Sequence, residues 1–268
     1  MRISVVTVCY NSAATIEETM LSVLGQTHPD VEYIIIDGGS TDGTVDIIRK
    51  YADRLAYWVS EPDRGIYDAM NKGIAAATGD YINFMNAGDT FATAQAVERL
   101  VQGIDFSDDY IAGVFGKTIE KFSDGYRADD FHQEFMPFCH QSVIVRSDLM
   151  NKYGFDTAFK IFADRDFFRK IWSEGYRYHK VNEYITIFDT SGVSSEFQTK
   201  PYFMEFKKVD GSTPSELQYK TFIIKRRLAK LFKRFVPNII IDLLKGVPKG
   251  TTAESLVHYP LSHFLSQN

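Results

Sequence analysis

Apolar residues in the first 90 positions form short runs that alternate with amphipathic segments. The runs are rich in β-branched residues and are bounded by Asn, Gly, Ser and Asp, which predicts buried strands at 3–9, 33–37, 57–59 and 81–85. Apolar positions between them fit helices over 13–24, 41–51 and 66–77. This alternation predicts an α/β fold, with a largely parallel central sheet and helices on both of its faces.

The pattern loosens beyond residue 90. Helices are predicted over 92–101 and 164–173, and strands over 111–115, 118–122, 141–146 and 184–188. Polar, irregular connections separate these segments, so we expect a mixed second half. We assign residues 1–200 to one main domain and 201–268 to a helical extension.

Composition narrows the class of protein. The chain of 268 residues is long enough for one large α/β core. Cys9 and Cys139 lie far apart in apolar stretches, which is typical of packing residues in a reducing compartment. The sequence has neither the layout of a signal peptide near Met1 nor an apolar run of about 18 residues. We therefore expect a cytoplasmic protein that does not span a membrane.

Charge is distributed unevenly along the chain. Residues 1–200 hold 19 Lys and Arg against 30 Asp and Glu, a balance of −11, whereas 201–268 hold 11 against 5, a balance of +6. The acidic body argues against nucleic-acid binding, and the basic extension favours an anionic surface such as a membrane.

Within the extension, 220–234 contains seven basic residues and no acidic one. One helical face there is apolar: Ile224, Leu228, Leu231, Phe232 and Phe235. This pattern predicts a basic amphipathic helix that ends before Pro237 and lies on the anionic inner face of the cell membrane. The alternative is a helix packed on the protein's own body or on a second subunit in a homodimer.

Polar side chains follow three of the predicted strands, at 10–11, 37–40 and 86–89. Ligands of open parallel sheets bind at the carboxyl ends of strands, so these segments predict a binding site. Alternatively they are turn and capping residues, Asp42 in particular. A dinucleotide fold is excluded because no G-x-G-x-x-G follows the first strand, and no P-loop is present.

Four ordered blocks, at 4–11, 36–44, 63–73 and 86–89, resemble those of family-2 inverting glycosyltransferases of the GT-A fold. The resemblance covers about residues 1–195 and is greatest to bacterial enzymes that build O-antigen, capsule or exopolysaccharide. The resemblance implies transfer of a sugar from a nucleotide-sugar donor to a growing, lipid-linked oligosaccharide. The first candidate for the donor is a UDP-sugar. Two alternatives stay open: a sugar nucleotidyltransferase, and a catalytically impaired GT-A domain that acts as a membrane-associated partner.

The resemblance also implies which residues bind the donor: Thr7, Tyr10, Asn11, Asp37, Ser40, Arg64, Asn71, Lys72, Asn86 and His140. Asp37 would contact the base, and Asn86 the ribose. Arg64 and Lys72 add positive charge that suits a diphosphate, with surface ion pairing as the alternative. His140, in a His-Gln segment, would face the donor sugar or the acceptor, or would be a core histidine.

Metal binding is expected at 86–89, where the family has two or three aspartates that hold Mn²⁺ or Mg²⁺. Here Asn86 and Gly88 replace two of them, and Asp89 remains as the metal ligand. Mg²⁺ commonly binds through one or two carboxylates plus substrate phosphates, so we expect the metal to bind mainly together with the donor.

The segment 163–169 resembles the part of the family in which an aspartate is the catalytic base, so Asp164 is assigned that role. Ala163 replaces the family's preceding Glu, which leaves Asp166 as an alternative base. Both aspartates could instead favour the start of a helix electrostatically. The segment 189–194 resembles a loop that closes over the bound donor.

Overall fold

The computed structural model describes residues 1–102, 107–123, 125–129, 136–191, 200–209, 211–213 and 215–235. They form two compact units. The first contains the described residues up to Ser191, and the second contains those from Lys200 onward.

The first half of the first unit is a parallel sheet with the strand order β3-β2-β1-β4. Its strands are β1 (Ile3–Cys9), β2 (Val31–Asp37), β3 (Tyr57–Ser60) and β4 (Tyr81–Phe84). Its helices are α1 (Ile16–Leu24), α2 (Thr44–Lys50) and α3 (Ile66–Ala76). The predicted α/β order is confirmed here. Since Cys9 lies opposite Asp37 in the parallel register, the ends of β1 and β2 lie side by side.

Successive side chains of β1 point to opposite faces of the sheet. Each of these faces packs against a helix. Val5 belongs to the buried cluster that contains Ile16 and Met20 of α1. Val6 packs against α3 at Gly73, where an added Cβ would lie 2.4 Å from Val6 Cγ1. All seven residues of β1 are buried, which explains why five of them are apolar and none is charged.

The second half of this unit adds β5 (Thr90–Phe91), α4 (Ala96–Gln102), β6 (Ile111–Phe122), β7 (Gly125–Asp129), β8 (Val143–Arg146), α5 (Ser147–Tyr153), α6 (Ala163–Ser173) and β9 (Arg177–Asp189). The described sheet runs β3-β2-β1-β4-β8-β6-β9-β5, and β7 pairs with β6. β8 is antiparallel to β4 and β6, whereas β6 and β9 are parallel. This half is mixed, as predicted.

Several predicted boundaries in this half are wrong. The strands expected at 111–115 and 118–122 are one strand, β6, which contains a register irregularity between Phe115 and Thr118. β9 begins at Arg177 instead of 184, because its first half carries exposed and polar side chains that give no apolar run. The strand expected from 141 begins at Val143, after a 3-10 turn at His140–Ser142.

The second unit pairs α7 (Lys200–Val209) with α8 (Glu216–Phe235). The Phe203 ring lies 5.7 Å from the ring of Tyr219 and 5.0 Å from that of Phe222. Leu217, Ile224 and Leu228 of α8 are exposed. No helix among the described residues is long and apolar enough to cross a membrane. The predicted break at Pro237 lies outside the described residues.

Candidate active site

The ends of β1 and β2 form a hydrogen-bonded rim centred on Asp37. Its buried carboxylate accepts hydrogen bonds from the Ser40 hydroxyl, from Ser40 N at 2.9 Å and from Ser60 Oγ at 2.6 Å. Burial by itself would raise the pKa of Asp37, but the hydrogen bonds, first those from Ser40 and Ser60, bring the pKa below its ordinary value. Asp37 is therefore a fixed anion under the rim.

Asn11 joins the two strand ends. Its backbone N donates to Ser40 Oγ at 2.7 Å, and its Oδ1 accepts from Thr41 N at 2.9 Å. Its φ of 48° is left-handed, a region that Asn tolerates better than most residues. Tyr10 beside it is 64% exposed. The rim thus presents an exposed aromatic ring above a rigid turn.

Thr7 and Asp42, near the strand ends, make hydrogen bonds within the protein. Thr7 is fully buried, and its hydroxyl donates to Met85 O at 2.8 Å and lies 3.0 Å from the Tyr33 hydroxyl. Asp42 accepts from Thr44 N at 3.0 Å and from Ala13 N at 2.9 Å. Asp42 therefore stabilises the start of α2, the structural role considered for it.

The two predicted cations, Arg64 and Lys72, form ion pairs. Arg64 Nη2 lies 2.7 Å from Asp68 Oδ1, and Lys72 Nζ lies 2.7 Å from Glu61 Oε1. The Arg64 side chain is 80% exposed, so its pair with Asp68 contributes little stability and leaves the guanidinium free to reorient.

Asn71 makes a structural contact instead of lining the rim. Its Nδ2 donates to Phe155 O and its Oδ1 accepts from Phe155 N, both at 2.8 Å. This pair of bonds satisfies both backbone groups of Phe155 and fastens α3 to the segment after α5. In this arrangement, both ends of the Asn71 amide are engaged by the backbone of Phe155.

The segment after β4 buries the one carboxylate that was expected to hold a metal. Asp89 is 5% exposed; its Oδ1 accepts from Asp189 N at 2.9 Å and its Oδ2 from Gln141 Nε2 at 2.7 Å. Burial raises the pKa of Asp89 to about 6, although these hydrogen bonds act to lower it.

Asn86 lies beside the 3-10 turn. Its Nδ2 is 3.1 Å from His140 Nε2, and its Oδ1 is buried without a hydrogen-bond partner among the described residues. Buried polar oxygens are nearly always satisfied, so this atom indicates a place for a ligand group. The described residues bring together no three His, Cys, Asp or Glu side chains that could hold a metal. A divalent ion fits here only if the donor diphosphate supplies further oxygen ligands.

Asp164, in the first turn of α6, is held at both carboxylate oxygens. Oδ2 lies 3.1 Å from His140 Nδ1, and Oδ1 lies 2.8 Å from Arg165 N and 3.1 Å from the Tyr67 hydroxyl. Tyr67 also donates to Ile161 O at 2.6 Å. His140 is thus part of a polar network together with Asn86 and Asp164.

Asp166 occupies a different environment on the same helix. Its Oδ2 lies 2.6 Å from Lys170 Nζ and its Oδ1 3.3 Å from Arg169 Nη2. The side chain is 7% exposed. Residues two positions apart on a helix point in different directions, which explains why Asp164 contacts His140 and Asp166 pairs with cations of its own helix.

Three residues of this site were not singled out from the sequence: Tyr67, Gln141 and Ser60. Tyr67 lies within the block 63–73, and Gln141 follows His140 in the His-Gln segment; this adjacency was the only signal in the sequence. Their partners, Asp164 and Asp89, are 97 and 52 positions away, so only the tertiary structure reveals the contacts.

The model of the family described as Glycosyl transferase family 2 matches residues 4–174. The chain belongs to this family, and it is a glycosyltransferase with the GT-A fold. An uncharacterized glycosyltransferase of Mycobacterium tuberculosis is 33% identical over 231 residues, which cover 77% of this chain and 82% of that protein. A PGL/p-HBAD biosynthesis glycosyltransferase of Mycobacterium bovis is 30% identical over 172 residues, 61% of this chain and 67% of that protein.

Solved structures share the fold at low identity. S. aureus TarS 1-349 in complex with UDP-GlcNAc has a TM-score of 0.65 and 18% identity, with 82% of this chain and 69% of the TarS 1-349 chain covered. The mannosyltransferase PcManGT of Pyrobaculum calidifontis, in complex with GDP-Man and Mn²⁺, has a TM-score of 0.52 and 21% identity, with 84% and 64% covered.

Proposed function

We propose that this protein is an inverting glycosyltransferase that moves a sugar from a UDP-sugar to a lipid-linked oligosaccharide of the cell surface. The observation that carries the proposal is the network Asn86–His140–Asp164, which joins the donor segment after β4 to a partly buried carboxylate on α6. A transferase needs these two functions, donor binding and a base, within one site.

The donor side consists of the rim and the segment 86–89. Asp37 and Ser40 hold the turn on which the nucleoside binds, Tyr10 offers an exposed ring, and Asn86 offers its unsatisfied Oδ1. Arg64 and Lys72 supply positive charge for the diphosphate once they leave their carboxylate partners, Asp68 and Glu61. Thr7 and Asn71 support this surface from within the fold.

Asp89 would hold Mn²⁺ or Mg²⁺ in the presence of the donor. Each of its oxygens accepts one protein hydrogen bond and retains a lone pair. When bound, the ion supplies positive charge against the leaving diphosphate. With a pKa of about 6, Asp89 is mostly ionised at neutral pH and loses its capacity as a ligand as the pH falls through about 6.

Asp164 is the proposed base. Its carboxylate takes the proton of the acceptor hydroxyl as that oxygen bonds to the anomeric carbon, on the face opposite the leaving diphosphate, and the configuration inverts. Such a base contributes about 10²- to 10⁴-fold in rate. His140 and Arg165 N donate hydrogen bonds to the ionised carboxylate and keep it oriented.

The lipid-linked acceptor is supported by α8. Its exposed apolar side chains, Leu217, Ile224 and Leu228, recur at spacings of seven and four residues, which places them on one helical face. Together with the basic residues of 220–234, this face suits the anionic inner leaflet and peripheral attachment at the cytoplasmic side. A homodimer through the same face would compete with membrane binding.

Calorimetry with UDP, GDP and CDP, each with and without Mg²⁺, tests the donor. We expect UDP to bind and Mg²⁺ to tighten that binding. Turnover of the matching UDP-sugar with lipid-linked acceptors, followed by proton NMR of the new anomeric centre, tests inversion. Pyrophosphate release from a sugar phosphate and UTP would instead identify a nucleotidyltransferase. UDP binding without turnover on any acceptor would favour the non-catalytic partner.

A further inference from the structure

Asn86, His140 and Asp164 form a line of hydrogen bonds through both nitrogens of one imidazole. Asn86 Nδ2 lies 3.1 Å from His140 Nε2, and Asp164 Oδ2 lies 3.1 Å from His140 Nδ1. The side chains of His140 and Asp164 are only 19% and 15% exposed, so solvent can replace these partners only in part.

The chemistry of the two partners selects one tautomer of His140. A carboxylate only accepts, so Nδ1 must carry a proton to bond Asp164. An amide nitrogen only donates, so Nε2 must be unprotonated to bond Asn86. Both bonds exist together only in the neutral imidazole with its proton on Nδ1.

The Asn86 amide has a second orientation of similar quality. If it turned over, Oδ1 would face His140 and Nδ2 would occupy the buried position that Oδ1 holds now without a partner. That orientation favours a proton on Nε2. One amide atom stays unsatisfied in either case, so a ligand that donates a hydrogen bond to Oδ1 selects the first orientation.

We propose that Asn86 and His140 are positioning residues that link donor binding to the base. A donor hydroxyl that bonds Asn86 Oδ1 fixes the amide, the amide fixes the Nδ1–H tautomer, and Nδ1–H orients Asp164 for proton transfer. This inference rests on the proposed function, because it needs a donor at the segment 86–89 and a base at Asp164.

Nitrogen-15 NMR of the histidine rings tests the tautomer without any turnover. The His140 signals are those lost in His140→Asn. We expect Nδ1 to have the shift of a protonated ring nitrogen, and the fraction of this tautomer to rise when UDP and Mg²⁺ are added. In Asn86→Asp, the new carboxylate should draw a proton to Nε2. An Nε2–H tautomer that UDP leaves unchanged would overturn the proposal.

Kinetics separate positioning from folding. His140→Ala should lower kcat by about 10²-fold, because the carboxylate loses its orientation. The affinity for UDP should change by no more than about twofold, because the two Asn86 orientations are of similar quality. His140→Asn places an amide donor near the position of Nδ1 and should recover most of kcat. Equal loss of kcat in both variants, with native melting curves, would contradict the role of Nδ1–H.

The proposed function and the positioning role of Asn86 and His140 can be disproved separately. If UDP does not bind, or if Asp164→Asn transfers sugar normally, the proposed function is wrong. If transfer depends on Asp164 but not on His140, only the positioning role is wrong.

Discussion

Gln141 Nε2 donates a hydrogen bond of 2.7 Å to Asp89 Oδ2, across 52 positions of sequence. The amide is itself oriented by Cys139, whose Sγ lies 2.6 Å from Gln141 Oε1. The 3-10 turn at 140–142 therefore has two roles: His140 contacts the proposed base, and Gln141 holds the carboxylate proposed for the metal.

The burial of Asp89 predicts a pH-dependent stability. Its pKa is about 6 in the folded chain, against an ordinary value of 3.8 for the aspartate side chain. Because the folded pKa is the higher one, this carboxyl favours folding fully below about pH 4, and that contribution is lost as the pH rises through about 6. The change amounts to about 3 kcal/mol. Urea unfolding in EDTA from pH 4.5 to 7.5 should show Asp89→Asn gaining stability relative to the wild type as the pH rises.

Asp37→Asn is the matched control for that experiment. The pKa of Asp37 is lowered in the folded chain, so its contribution is present above its unfolded pKa and is lost as the pH falls through the folded value. The difference from the wild type should therefore stay flat from pH 4.5 to 7.5 and should change, with the opposite slope, only below about pH 4. Parallel curves for Asp89→Asn and the wild type would contradict the raised pKa.

Asp164→Asn and Asp166→Asn should separate catalysis from stability. The first should lower kcat by at least about 10²-fold and leave UDP affinity unchanged. The second removes ion pairs with Lys170 and Arg169 from a buried site and should cost about 1–3 kcal/mol of unfolding free energy with transfer retained. Transfer assays, calorimetry and urea melts measure the three quantities. Loss of transfer in Asp166→Asn alone would move the base to Asp166.

Gly73→Ala should destabilise the fold even though Ala favours helices. Its Cβ would lie 2.4 Å from Val6 Cγ1, and such overpacking costs about 1–3 kcal/mol. The cost should shrink in a Val6→Ala background, which removes the clashing methyl group. A double-mutant cycle by urea unfolding measures the coupling. An equal cost in both backgrounds would exclude this contact as the reason.

Asn71→Ala should affect stability more than donor binding. It leaves both backbone groups of Phe155 without their side-chain partner, at a cost of about 1–3 kcal/mol. Asn151→Ala, which removes one exposed bond to Ser147 O, is the control and should stay within about 0.5 kcal/mol of the wild type. A weaker UDP affinity at an unchanged melting temperature would instead make Asn71 a donor ligand.

Removal of the chain after Gly211 should abolish sedimentation with anionic liposomes. The paired change Ile224→Glu and Leu228→Glu should weaken it, because both side chains are exposed on the proposed binding face. Leu21→Glu, at an exposed position of α1, is the control. Liposomes of zwitterionic lipid should bind little protein, since each basic residue contributes about 1 kcal/mol only at an anionic surface. Unchanged sedimentation of the double variant Ile224→Glu and Leu228→Glu would contradict membrane binding by this face and would favour a protein partner for α8.

The sequence by itself determined the parallel half of the sheet. β1, β2 and β4 are largely buried and therefore appear as mainly apolar segments, and the polar turns after them mark the rim. The ordered blocks indicated the family, and the composition of 86–89 left Asp89 as its single carboxylate. Local pattern was enough because each of these features is confined to a few consecutive residues.

Only the tertiary structure decided what the side chains around the site do. β7 and the first half of β9 gave no strand signal because they are not buried in a core, and α5 was likewise not predicted. The contacts Asn71–Phe155, Gln141–Asp89 and Tyr67–Asp164 join positions 84, 52 and 97 residues apart. Spacing in sequence carries no information about such pairs, because the chain brings them together only when the two halves of the sheet pack side by side.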